Sequence, residues 1–229
     1  MTTLPAKLQA VLARVAAAAR QFGRQPEEVR LLAVSKMRSA DCVRAVAAAG
    51  QLSFGENHVQ EGVAKARELA PLALDWHFIG SLQANKTRLV AENFAWVHSL
   101  DRLPIAERLS AQRPPSLPPL SVCLQVNVSG EASKSGVAPA AALPLAQAIA
   151  ALPRLRLRGL MTIPRPSTEF LEQRHAFREL RELAEQMQAA GLQFDTLSMG
   201  MSDDLEAAVA EGATLVRIGT AIFGERTTA

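Results

Sequence analysis

The chain alternates short apolar runs with longer amphipathic segments, and this alternation predicts strands and helices in turn. The opening segment, 4–22, carries apolar residues three and four positions apart and is followed by Gly23, which is typical of a helix and its end. The next apolar run, 30–36, is continuous and ends abruptly in a polar pair that includes Lys36. A continuous run of this length predicts a strand that is buried on both faces.

The same alternation continues to the end of the chain. It predicts further strands at 52–55, 75–80, 94–100, 120–128, 158–163, 194–197 and 215–218, and helices at 40–49, 59–69, from 83 onward, 103–111, 138–151, 167–190 and 203–210. The proline-rich segment 113–119 is interpreted as a stiff loop, because the alternation resumes directly after it.

This count of elements decides between two architectures. Eight strands alternating with eight helical segments suit a (β/α)₈ barrel, which typically needs roughly 250 residues. A doubly wound open sheet would normally carry a glycine-rich turn after its first strand, but the sequence there is Ser-Lys-Met-Arg at 35–38. We therefore predict an α/β protein in which residues 1–229 form a single TIM barrel domain with an extra N-terminal helix.

Composition excludes several classes of protein. Hydrophobic residues make up 48% of the chain, which is ample for a core, and the net charge of +3 is not concentrated in a basic stripe that would bind nucleic acid. The two cysteines, Cys42 and Cys123, lack the spacing of a metal site and are interpreted as reduced packing residues. The sequence shows neither a signal peptide nor a run of membrane-spanning length, so a cytoplasmic protein without a metal ion is expected.

Lys36 is the first candidate for chemistry. Because side chains alternate along a strand, Lys36 shares its side with Leu32 and Val34. If that side faces the inside of the barrel, the ammonium group points into a cavity. Desolvation there would lower the pKa of the lysine, as a lysine that forms an imine requires. Taken alone, the same residues are more typical of a solvated lysine at the start of a loop, so the case for an imine depends on the rest of the chain.

Polar residues collect at the predicted carboxyl ends of the strands, which form the active face of a TIM barrel. They are Lys36, Glu56, Asn57, His77, Asn127, Ser198, Arg217 and Thr220. After the last two strands, Ser198 and Thr220 offer hydroxyl groups, while Gly200 and Gly219 let backbone N–H groups approach an anion. Ser202 is expected to cap the helix that follows. The alternative is that the serines only cap and turn the chain.

A phosphate site combined with a lysine that can form an imine suggests pyridoxal 5'-phosphate (PLP). Arg217 shares strand parity with Leu215 and is expected to point into the barrel. Facing the pyridine nitrogen of PLP, it would donate a hydrogen bond and keep that nitrogen unprotonated, which disfavours reactions such as transamination. The alternative for Arg217 is a salt bridge to a barrel carboxylate such as Glu56.

Eight motifs, distributed over nearly the whole chain, resemble those of the pyridoxal phosphate homeostasis proteins. They are VSK at 34–36, FGENHVQE at 54–61, WHFIG at 76–80, LQANK at 82–86, VNVSGEASKSG at 126–136, RGLM at 158–161, LSMGMSDD at 197–204 and VRIGTAIFG at 216–224. The resemblance implies a barrel similar to the N-terminal domain of alanine racemase, which is PLP fold type III.

The resemblance also implies a set of site residues. PLP would be held by Lys36 as a Schiff base (an internal aldimine), without an established catalytic residue. The remaining cofactor-binding candidates are Asn57, His77, Met161, Ser198, Met199, Arg217, Gly219 and Thr220, of which Ser198, Met199, Gly219 and Thr220 would contact the phosphate and Arg217 the ring.

The function implied is PLP binding in the homeostasis of vitamin B6 and amino-acid pools, without catalytic turnover. The expected partners are PLP and PLP-dependent apo-enzymes, and the chain is expected to be a monomer that binds neither nucleic acid nor membrane. The loop 129–136 is considered as a gate over the site, with Lys134 solvated.

Two enzymatic alternatives remain open from the residues. A PLP-dependent amino-acid racemase needs a base on each face of the cofactor; the chain contains no tyrosine for the second face, and His77 is the nearest substitute. A cofactor-free Schiff-base aldolase would use Lys36 directly on a carbonyl substrate, with the phosphate of a sugar in the anion site.

Overall fold

The computed structural model describes residues 3–131 and 134–225. Its centre is a closed barrel in which every strand pairs in parallel with its neighbours in chain order. The strands are β1 (Arg30–Val34), β2 (Ser53–Glu56), β3 (Asp75–Phe78), β4 (Trp96–Leu100), β5 (Leu120–Gln125), β6 (Leu155–Met161), β7 (Thr196–Ser198) and β8 (Leu215–Ile218). The predicted α/β barrel is confirmed.

The α-helices of the described residues cover the outside of the barrel. They are α1 (Leu4–Gln21), α2 (Ala40–Ala48), α3 (Val59–Glu68), α4 (Thr87–Asn93), α5 (Leu103–Gln112), α6 (Pro139–Ala150), α7 (Phe170–Ala189), α8 (Leu205–Ala210) and α9 (Thr220–Phe223). None of these helices has the length and apolar character that crossing a bilayer requires.

Helix α1 is the extra N-terminal helix that the sequence predicts. The hydroxyl of Thr3 accepts a hydrogen bond from the Ala6 amide at its start, and a proline stands in its first turn. Its buried face, which includes Leu8, Val11 and Val15, packs against α2, α8 and α9. This helix therefore covers the junction between the first and last units of the barrel.

Side chains of the strands divide into two layers because they alternate direction. One layer lies between the strands and the helices and is apolar, as at Leu31, Ala33 and Phe54. The other layer fills the barrel, where a small cluster around Trp96 and Cys123 is separate from the main core. Much of that inner layer is polar, and it supplies the floor of the candidate site.

Some predicted boundaries are wrong by a few residues. Strand β1 ends at Val34, so Lys36 stands in the loop beyond it, and β6 begins at Leu155. Helix α8 begins at Leu205, and Ser202 does not cap it. Instead, the carboxylate of Asp204 accepts a hydrogen bond from the Met201 amide at 2.5 Å, which closes the turn before the helix.

Candidate functional site

A cavity of about 530 Å³ opens at the carboxyl ends of the strands. This volume lies within the range of roughly 300–1,000 Å³ that small-molecule sites occupy. Five of the residues predicted from the sequence line it: Lys36, Asn57, Arg217, Gly219 and Thr220. They come from β1, β2 and β8 or the loops that follow them, so the barrel topology brings the two ends of the chain together at one site.

Lys36 is half-buried and lines the cavity together with Val34, as their shared strand parity predicts. The backbone on both sides of Lys36 is held by helix α3. The Ser35 carbonyl accepts a hydrogen bond from Lys65 Nζ at 2.8 Å, and the Met37 amide donates to Glu61 Oε1 at 2.6 Å. Met37 adopts a left-handed conformation with φ of 59°, which turns the chain sharply after the lysine.

A cluster of charged side chains, most of them buried, connects this loop to β2 and helix α3. Lys65 Nζ lies 2.8 Å from Glu56 Oε1 and 2.7 Å from Glu61 Oε1, and the Ser35 hydroxyl donates to Glu56 Oε1 at 2.5 Å. Burial raises the pKa of Glu56, while Lys65 and the Ser35 hydroxyl oppose that shift. Because Glu56 pairs with Lys65, the alternative salt bridge between Glu56 and Arg217 is wrong.

Arg217 enters the cavity from below, inside the barrel, as its strand parity predicts. Its Nη1 donates to Ser198 Oγ and its Nη2 donates to the Thr162 carbonyl, both at 2.9 Å. Burial lowers the pKa of Arg217 to about 10, so the guanidinium remains a cation at neutral pH. The cavity therefore has a fixed positive charge in its floor.

The wall formed by the end of β8, next to the strand that leads to Lys36, is suited to an anion. Gly219 and Thr220 stand at the start of α9, and the first amides of a helix have no acceptor within the helix. A Cβ atom at Gly219 would lie 3.2 Å from the Val34 carbonyl oxygen, so glycine keeps this wall close to β1. Ser202 also lines the cavity, although the sequence predicts it to be a helix cap.

The structure places the other four predicted site residues outside the cavity lining. His77 and Ser198 are buried inside the barrel beneath the cavity, and Met161 packs there against Trp96. Met199 belongs to the layer between the strands and the helices, and its amide donates to the Leu215 carbonyl. These four side chains therefore support the site rather than face its opening.

Several lining residues have no clear signal in the sequence. Gln125 Nε2 donates to the Ser135 carbonyl at 3.0 Å, and the hydroxyls of Ser81 and Ser135 lie 3.3 Å apart. Lys134, expected to be solvated, instead lies 2.6 Å from the carboxylate of Glu131 and lines the cavity.

The predicted gate, the loop 129–136, is described only in part, because residues 132 and 133 lie outside the described residues. The gate remains a prediction.

Comparison with known proteins agrees with this geometry. A family model for the alanine racemase N-terminal domain matches residues 7–227. A pyridoxal phosphate homeostasis protein of Pseudomonas aeruginosa is 60% identical over 226 residues, covering 99% of this chain and 97% of that protein. Its counterpart in Escherichia coli is 53% identical over 229 residues, covering 99% of this chain and 98% of that protein.

The chain is also similar to a protein of this kind whose structure has been solved. PipY of Synechococcus elongatus, in a structure with PLP bound, is 40% identical with a TM-score of 0.79, and the match covers 92% of this chain and 100% of that chain. The resemblance drawn from the sequence motifs is thereby confirmed. The chain belongs to the pyridoxal phosphate homeostasis proteins, a family that has the fold of the alanine racemase N-terminal domain.

Proposed function

We propose that this chain binds PLP in the cavity at the carboxyl ends of the strands and holds it for PLP homeostasis without turning over a substrate. The main support is the cavity of about 530 Å³, which is lined by Lys36, Arg217 and the start of α9 together. An amine can form a Schiff base with the aldehyde of PLP, a guanidinium group can donate a hydrogen bond to its ring nitrogen, and helix-terminal amides can bind its phosphate.

The residues present fit this cofactor. Asn57 lines the cavity, and its Oδ1 is buried with no hydrogen-bond partner among the described residues, which leaves an acceptor for a bound polar molecule. Thr220 and Ser202 line the same cavity as Gly219 and offer hydroxyl groups there, and the lack of a side chain at Gly219 lets a phosphate group approach the backbone closely. PLP, when bound, supplies a reactive aldehyde and a ring that withdraws electrons.

Each residue has a separate part in holding the cofactor. Lys36 provides the nucleophilic amine for covalent attachment, and helix α3 fixes the loop that carries it through Lys65 and Glu61. Arg217, a cation that can only donate, opposes protonation of the ring nitrogen. An unprotonated ring stabilises a carbanion poorly, which favours storage and delivery of the cofactor over transamination.

The geometry argues against the racemase alternative. His77, the residue considered as a second base, is only 2% exposed, and both its ring nitrogens are engaged, one with Asp75 and the other with His98. A base that exchanges protons with a substrate must reach it directly or through one water molecule. The chain also contains no tyrosine. The aldolase alternative keeps Lys36 as nucleophile, and PLP binding distinguishes the two functions because a cofactor-free aldolase needs no PLP.

PLP titration followed by absorbance and by size-exclusion separation tests the proposal. We expect one PLP per chain for the wild-type protein and much weaker binding for Lys36→Ala. A matched variant, Lys86→Ala, changes a lysine outside the cavity lining and should bind as the wild type does. Racemisation of amino acids and retro-aldol cleavage should stay at background. A wild-type protein that fails to bind added PLP would overturn the proposal.

The proposal extends to the biological context. PLP-dependent apo-enzymes as recipients, a monomeric chain and a cytoplasmic location are predictions that follow from this role. Transfer can be measured by mixing the PLP-loaded protein with an apo-enzyme and following the recovery of its activity. Recovery no faster than with an equal amount of free PLP would contradict a delivery role.

A further inference from the structure

A hydrogen-bonded chain of polar side chains runs through the inside of the barrel and ends at Arg217. Asp75 Oδ2 lies 2.9 Å from His77 Nε2, and His77 Nδ1 lies 2.9 Å from His98 Nε2. His98 Nδ1 lies 2.8 Å from Ser198 Oγ, which accepts a hydrogen bond from Arg217 Nη1 at 2.9 Å. These five residues, called the interior array below, link four strands of the barrel.

The array joins the two ends of the barrel. Asp75 is at the start of β3 and its side chain is 40% exposed, whereas His77, His98 and Ser198 are buried. Arg217, at the other end of the array, lines the cavity. A run of buried polar groups of this length is costly unless every donor meets an acceptor.

The two ends of the array fix the direction of every hydrogen bond. A guanidinium group can only donate, and an ionised carboxylate can only accept. Between them, each neutral histidine and the serine hydroxyl can donate once toward Asp75 and accept once from the Arg217 side. The consistent arrangement has Ser198 donating to His98, His98 donating to His77 through Nε2, and His77 donating to Asp75 through Nε2.

The surroundings favour neutral rings. Burial lowers the pKa of His77, although Asp75 opposes that shift. Burial lowers the pKa of His98 further, and the neighbouring His77, Arg217 and Arg30 add to the effect there. His77 also stacks on Trp96, with ring centroids 5.2 Å apart and planes within 5°. Although burial opposes ionisation of Asp75, its hydrogen bond from His77 lowers the pKa of the carboxyl group.

We propose that His77, His98 and Ser198 are positioning residues that orient Arg217 toward the ligand in the cavity. Two guanidinium nitrogens are anchored on the barrel side, Nη1 to Ser198 and Nη2 to the Thr162 carbonyl. The anchored orientation determines which remaining N–H groups face the cavity. This inference rests on the proposed function, since it takes the ring of PLP as the group that Arg217 meets.

The first test does not depend on the cofactor. Nitrogen NMR of the imidazole groups in the protein without PLP distinguishes the two neutral tautomers from each other and from the charged ring. The array predicts neutral His77 and His98 near neutral pH, each with its hydrogen on Nε2. A charged ring or an Nδ1–H tautomer at either position would overturn the proposed direction of the hydrogen bonds.

The second test measures PLP affinity in variants of His98, which lies outside the cavity lining. We expect His98→Leu, which removes both hydrogen bonds, to weaken PLP binding about tenfold and to shift the absorption band of the bound cofactor. His98→Gln keeps one donor and one acceptor and should restore most of the affinity and the band position. Ser121→Ala, a buried serine of β5 outside the array, serves as the matched control and should bind as the wild type does.

The outcomes separate this inference from the proposed function. Equal affinity and the same absorption band for the wild type, His98→Leu and His98→Gln would refute a positioning role. A wild-type protein that binds no PLP would overturn the proposed function, while the NMR measurement would still decide the arrangement of the array. If His98→Leu does not fold, His98→Gln and the nitrogen NMR spectra provide the test.

Discussion

Replacing Lys65 with methionine tests how the loop that carries Lys36 is held. Methionine keeps the apolar stem of the side chain but removes the ammonium group, and with it the contacts to Glu56 at 2.8 Å and to Glu61 at 2.7 Å. The hydrogen bond to the Ser35 carbonyl is also lost. The Glu56 carboxylate then still accepts the hydrogen bond of the Ser35 hydroxyl, but the positive charge of Lys65 that paired with it is gone.

The size of the effect follows from burial. Glu56 is fully buried, and breaking a buried ion pair by removing one partner typically costs about 3–5 kcal/mol. The Glu61 side chain is 26% exposed, so the loss of its ion pair adds less than about 1 kcal/mol. We expect Lys65→Met to lower the free energy of unfolding by about 4 kcal/mol near neutral pH.

The pH dependence identifies the cause. Burial raises the folded-state pKa of Glu56 above its unfolded value, so at pH values between the two the folded protein binds more protons than the unfolded chain. The contribution of Glu56 to stability therefore falls as the pH rises from the unfolded-state pKa through the folded-state pKa. Removing Lys65 takes away the charge that opposes this shift and raises the pKa further. The destabilisation by Lys65→Met should therefore shrink as the pH is lowered and Glu56 becomes protonated.

Urea unfolding at several pH values measures these free energies, with Lys65→Met, Glu56→Gln and the double variant forming a cycle. We expect the double variant to recover a large part of the loss, because a neutral amide replaces the stranded carboxylate. A destabilisation that is the same at acid and neutral pH, together with additive effects in the cycle, would show that lost packing, and not an unpaired Glu56 carboxylate, causes the loss.

Two further predictions concern the barrel itself. Gly159→Ala should destabilise the protein by about 3 kcal/mol in the same unfolding assay, since the added Cβ would overlap the Thr196 carbonyl oxygen; a loss below about 1 kcal/mol would contradict this. Burial raises the pKa of the Cys123 thiol to about 12, whereas Cys42 is half-exposed. A thiol reagent should modify Cys42 in the folded protein and Cys123 only after unfolding, as mass spectrometry of the modified protein can show. Equal rates of modification of the two cysteines in the folded protein would contradict the burial of Cys123.

The barrel and part of its site could be predicted because they depend on local patterns. The regular alternation of apolar runs and helices predicts the fold, and strand parity places Lys36 and Arg217 on the inner side. The alternation of side chains along a strand also indicates where Glu56 points: it lies two positions after Phe54 and therefore faces the helices, as Phe54 does. The alternative of a salt bridge between Glu56 and Arg217 does not take this alternation into account.

The interior array could not be predicted in this way. His98 stands in an apolar stretch, where a histidine resembles a packing residue, and its partner Ser198 is 100 positions away. Which pairs of inward side chains meet depends on the register and stagger of the closed barrel, which a single sequence does not contain. The predicted cap at Ser202 is wrong, although its spacing fits a helix cap, because Asp204 forms the turn before α8.

Borohydride reduction of the PLP-loaded protein, followed by mass analysis of its peptides, shows which lysine holds the cofactor. We expect the reduced pyridoxyl group on Lys36, no label on Lys36→Ala, and the same label on Lys86→Ala as on the wild type. A label on Lys65, Lys86 or another lysine, or a protein that binds PLP and stays unlabelled, would contradict the assignment of Lys36 as the residue that holds the cofactor.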